Sequence, residues 1–103
     1  MVAKKAAKKS TKTTNAVILE ALRPDGATSM FIGRFVARED GAVTLTDATW
    51  IASTGRRHLF LYGKPDGQAE WEPHPDGAQI RIEAPLLWIG PWEYGLEQFR
   101  KAR

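Results

Sequence analysis

Four Asp-Gly pairs, at 25–26, 40–41, 66–67 and 76–77, set the scale on which this chain can fold. Three of them read Pro-Asp-Gly. Pro presets φ, Asp bonds its own backbone and Gly supplies positive φ, which is the chemistry of tight turns. A chain turned so often has room only for short elements. The segments between the turns are rich in β-branched and aromatic residues, which suit a half-buried pleated surface. The pairs are unevenly spaced and the segments differ, so there is no internal repeat.

Asn15–Arg23 reads as a strand, with a short helix over Ala16–Leu22 as the competing reading because Glu20-Ala21-Leu22 favour helix. Thr28–Arg38 is a second strand, and its Phe31/Phe35 face is expected in the core. Gly33 between the two phenylalanines marks a bulge or a close crossing of another strand. Ala42–Ile51 and Leu59–Tyr62 read as the arms of a β-hairpin whose tip carries Arg56, Arg57 and His58. The imperfect alternation of Ala42–Ile51 places a bend or bulge near Asp47-Ala48. Gln68–Glu72 is a short polar strand within a surface hairpin over 64–77, and Gln79–Glu83 and Leu86–Ile89 follow on either side of Pro85. In the segment Pro91–Arg100, Trp92, Leu96 and Phe99 fall at i, i+4 and i+7, which predicts a short helix docked on its own barrel or on a neighbouring subunit.

Hydrophobic content of 43% is too high for a fully disordered chain, and 103 residues suit one small domain. The absence of cysteine excludes disulfides and thiolate metal sites. No apolar run approaches the ~20 residues of a membrane-spanning helix, and no secretory signal pattern is present, so the expected compartment is cytoplasmic, with a virion also open. The net charge of +3 is segregated. Lys4, Lys5, Lys8, Lys9 and Lys12 lie in residues 1–14, which carry no acid, whereas residues 15–99 hold seven Lys and Arg against all twelve Asp and Glu. Arg100, Lys101 and Arg103 return positive charge to the C-terminus. The expected organisation is a flexible basic arm at 1–14, a β-rich body at 15–90, and a short helix with a basic tail at 91–103. An acidic body confines any nucleic-acid or acidic-partner reading to the ends, chiefly the lysine arm.

Catalytic signatures are missing. His58 and His74 are the only histidines, neither is tied to a carboxylate or serine by a recognisable motif, and there is no phosphate-binding glycine loop. No cofactor or metal is expected. Glu39-Asp40 and Glu70/Glu72 sit at or beside turns, where acids are usually solvated. Arg56 and Arg57 suit a phosphate, a carboxylate or another subunit, and simple solvation is the alternative. Four tryptophans are many for so small a body, and Trp71, flanked by glutamates, is the one expected at the surface. Trp71, Trp92, Leu96 and Phe99 are therefore the candidate interface residues.

The runs GRFVAREDGAVTLTDATWIASTG, HLFLYG and IRIEAPLLWIGPW resemble small phage-encoded proteins of a family without assigned function. The shared features are Gly33, the phrase Val43-Thr44-Leu45-Thr46-Asp47-Ala48, Trp50, Gly55, Ile89 and Pro91, across residues 33–91. The resemblance implies phage origin and a compact β-rich body, and brings no catalytic residues. The whole reading is a mainly β fold, a five- to six-stranded barrel or sandwich of SH3-like size with a short C-terminal helix. Its expected role is non-enzymatic, through self-assembly or contact with another phage or host protein. The alternatives are nucleic-acid binding by the arm and sequestration of a small anionic nucleotide at Arg56 and Arg57.

Overall fold

The structure, a computed structural model, describes residues 15–103. The lysine arm expected at 1–14 lies outside the described residues. Among the described residues six strands run antiparallel in one sheet: β1 Ala16–Leu22, β2 Thr28–Glu39, β3 Ala42–Ser53, β4 Glu70–Pro73, β5 Gln79–Ile82 and β6 Leu86–Pro91. A five-residue helix, α1, covers Arg57–Leu61, and a 3-10 turn covers Glu97–Arg100. Among the described residues no helix is long and apolar enough to cross a membrane.

The spatial order is β4-β3-β2-β1-β6, with β5 also paired to β3. β4 and β5 share one edge of β3: β5 lies along Val43–Thr46 and β4 along Thr49–Ser53. They behave as one strand interrupted by a loop, residues 74–78, opposite Asp47 and Ala48. The expected surface hairpin over 64–77 is thus replaced by pairing with β3. Four strand spacings separate β5 from β6, which in a flat sheet is about 19 Å. Residues 83–85 join them, and four Cα steps reach at most ~14 Å. The sheet must therefore curl, although no β5–β6 pairing closes it among the described residues. The result is an open, barrel-like sheet.

The hairpin expected between Ala42–Ile51 and Leu59–Tyr62 does not form. The chain turns at Gly55 with φ +62°, and Arg57–Leu61 coils so that Phe60 is fully buried against the sheet. The bend expected near Asp47-Ala48 is present. Asp47 has φ 51°, and β3 carries one more residue than β2 between the pairs Ile32–Thr49 and Arg34–Thr46. Gly33 lies against this bulge; a Cβ there would meet Ala48 Cα at 3.0 Å, so the strands close only over a glycine.

Each face of the sheet carries a buried apolar cluster. Ala16, Ile18, Met30, Ile32 and Ile51 pack with Phe60, Trp71, Trp92, Leu96 and Phe99. Leu19, Ala21, Val43, Leu45, Ala48 and Ile82 form the second cluster. In β2 the best-buried residues are Met30 and Ile32, whereas Phe31 and Phe35, expected to lead the core, are only partly buried. The expected helix over Pro91–Arg100 is shortened to the turn at its end. Pro91 still belongs to β6, and Gly95 at φ +82° breaks the backbone before Leu96. The apolar face nevertheless docks on its own sheet. Phe99 is fully buried, its ring centroid 4.6 Å from Trp71, 5.6 Å from Trp92 and 5.8 Å from Phe60.

Phe99→Ala should cost about 3–5 kcal/mol of folding stability in the monomer. Denaturant titration followed by tryptophan fluorescence measures it; a loss below about 1 kcal/mol would mean the segment does not contribute to the core.

Candidate functional site

The residues expected to make an interface lie inside the body. Trp71 is 3% exposed and Trp92 3%, with Leu96 and Phe99 buried beside them. For Trp71 the flanking glutamates carry the opposite meaning from the expected one. Strand residues alternate between faces, so exposed Glu70 and Glu72 turn Trp71 inward. Its indole N–H donates to the Lys101 carbonyl at 2.9 Å, and its backbone exchanges 2.9 Å hydrogen bonds with Arg103.

Arg56 and Arg57 start α1 rather than tip a hairpin. Arg57 pairs with Glu20 at 2.9 Å, and Glu20 also accepts from the Trp88 indole at 2.8 Å and from the Thr28 hydroxyl at 2.9 Å. Foremost the Arg57 bond, opposed by burial and aided by Trp88 and Thr28, holds the Glu20 carboxyl below its ordinary 4.5. One of the two arginines expected to receive an anion is thus already engaged.

The structure brings together a site the residue pattern did not single out. Phe31 faces Trp50 across β2 and β3, and Trp50 faces Glu72 across β3 and β4. Directly opposed side chains stand about 4.5–5.5 Å apart at Cβ, so the three form one row on one face. With Arg23, Ser29, Pro73, His74 and Pro75 they line a cleft of about 470 Å³. Phe31 and Trp50 are half-buried, and Glu72 is exposed. The His74 ring lies 6.5 Å from that of Phe31, tilted by 31°.

The loop carrying His74 is fastened from behind. His74 N–H donates to the Ala48 carbonyl at 2.8 Å. Arg100 donates to the carbonyls of Ala48 at 3.0 Å and His74 at 2.6 Å, and pairs with Asp76 at 2.7 Å. Asp47 accepts from the Gly77 N–H at 3.1 Å and from Arg34 at 3.1 Å, and the Gly77 bond is the main cause of its lowered carboxyl pKa. The wall of the cleft is therefore part of the same bonded unit as the C-terminal turn.

Arg23 is bound to Asp25 at 2.9 Å, whereas no cation pairs with Glu72 among the described residues. The uncompensated charge of the cleft is negative. Ser29, Glu72 and His74 are the residue types of a nucleophilic relay, yet no hydrogen bond joins any two of them among the described residues. What the arrangement offers is aromatic surface beside a carboxylate, which suits a cation on an aliphatic stem. Among the described residues no three His, Asp or Glu side chains converge to hold a metal.

Comparison with family models, curated proteins and solved structures returns no match, so the functional reading rests on this geometry.

Two outcomes follow from the bonded unit and the Glu20 hub. Arg100→Met should raise hydrogen exchange at the His74 amide by at least tenfold while leaving β1 and β2 protected; unchanged exchange would mean that the arginine does not hold the loop. The folded Glu20 pKa is lowered, so its stabilisation is present above the unfolded value of 4.5 and is lost as pH falls through the folded value. Melting temperature should fall less steeply for Glu20→Gln than for the wild type as pH is lowered below 4.5.

Proposed function

We propose that this chain is a non-enzymatic binding module that works through protein–protein contact, its own copies included, and that the cleft of Phe31, Trp50, Glu72 and His74 is the contact site. The observation that carries this reading is the row of two half-buried aromatic rings and a carboxylate without an ion-pair partner among the described residues, set on a sheet and walled by a fastened loop. Aromatic side chains bring large contact area at low entropic cost, and a preformed site binds without first having to order itself. A phage-type accessory role belongs to the same proposal and rests on the resemblance of residues 33–91. Glu72 beside the rings disfavours phosphate, which leaves nucleic acid to the lysine arm, and the engagement of Arg57 by Glu20 weakens the nucleotide reading.

Light scattering across concentration at low salt tests the proposal. The wild type should associate, and Trp50→Ala should weaken association at least tenfold while its melting temperature stays within a few degrees. Association unchanged by Trp50→Ala would remove the cleft from the contact.

A further inference from the structure

Building on that reading, we infer that the occupant of the cleft is the lysine-rich segment Lys4–Lys12 of a second copy, so that copies join head to tail. Charge complementarity is the first argument. The segment holds five lysines and no acid, whereas residues 15–99 carry twelve acids against seven Lys and Arg. At the cleft Asp25 neutralises Arg23, which leaves Glu72 as the uncompensated charge among the described residues. A lysine stem lies well on Phe31 and Trp50, with its ammonium over a ring face and beside the carboxylate.

Chain direction is the second argument. β1 runs from Ala16, paired with Arg34, to Leu22, paired with Thr28. Arg23 and Ser29, which line the cleft, lie at the far end of that hairpin, about 20 Å from Ala16 at the rise of a strand. Residues 1–14 therefore join the body at the end of β1 away from these two residues. Lys12 is four residues from Ala16, a reach of at most ~14 Å, so it cannot return along the full strand to them. Phe31 pairs with Leu19, about 10 Å along β1 from Ala16, so the arm of the same copy is long enough to reach the rings, but only by reversing direction before Ala16; a neighbouring copy accepts the segment without that reversal.

An arm on one copy and a cleft on the next make a heterologous contact, which builds rings or open chains rather than a closed two-fold dimer. The contact pairs charges near the surface, so salt should weaken it.

The test uses full-length chains and two variants. One carries Glu72→Lys, with an intact arm and a disabled cleft. The other carries K4Q, K5Q, K8Q, K9Q and K12Q, with an intact cleft and a disabled arm. At low salt the wild type should grow beyond a dimer with concentration, and each variant alone should remain monomeric. Their equimolar mixture should stop at a one-to-one dimer, because it contains only one working arm and one working cleft. Raising salt from 50 to 500 mM should dissociate the wild type by at least tenfold in Kd. If the mixture stays monomeric while the wild type assembles, the arm and the cleft are not partners and the inference fails. If Trp50→Ala abolishes assembly but the five-lysine variant assembles normally, the cleft is still the contact site and only the occupant is wrong. A wild type that is monomeric at every concentration overturns the inference. In that case docking of the arm on its own cleft would appear as a salt-dependent Trp50 fluorescence signal, absent from the five-lysine variant.

Discussion

Four aromatic rings, Phe60, Trp71, Trp92 and Phe99, close on one another over one face of the sheet, and the rest of the molecule is built around that contact. They come from α1, β4 and the C-terminal segment, none of which is long enough to be stable alone. Burial of the rings brings Phe99 against β3, where its carbonyl accepts the Thr49 hydroxyl at 2.7 Å. Arg100 is thereby carried to Ala48 and His74. The aromatic core on one face thus fixes the loop that walls the cleft on the other.

The second organising feature is the irregularity in β3. A left-handed Asp47, the added residue and the glycine opposite it turn the strand sharply. Bulges increase local twist and bend, and here the bend lets one edge of β3 serve β4 and β5 in succession. The loop left between those two strands contains His74 and Pro75, so the bulge positions two cleft residues. Asp47 and Asp66 do similar work at separate turns, each accepting backbone N–H groups that the strands do not pair.

Much of the fold was legible in residue chemistry. The Asp-Gly turns, the β-branched segments, the bulge at Asp47-Ala48 and the close approach at Gly33 all follow from local backbone preference. The misreadings share a cause. Leu59–Tyr62 is apolar and short, a length at which a strand and a helical turn have the same pattern. β1 was ambiguous because both its faces are buried, which erases alternation. The four-residue strand around Trp71 did carry the right signal, since exposed Glu70 and Glu72 at period two place the tryptophan inside. The cleft itself was not legible, because Phe31, Trp50, Glu72 and His74 become neighbours only through the register of three strands.

By itself the sequence determined that the body would be β-rich, tightly turned, without thiolate chemistry and acidic between two basic ends. These properties are local or additive, and they survive whatever the chain pairs with. Tertiary structure alone decided which strands meet, that the C-terminal aromatics serve their own core, that Glu20 takes Arg57, and that Glu72 stands in one row with two half-buried rings. Each of these depends on strand register and on sheet curl. A shift of one residue would exchange the faces of a strand and dismantle the row while leaving composition and turn chemistry unchanged.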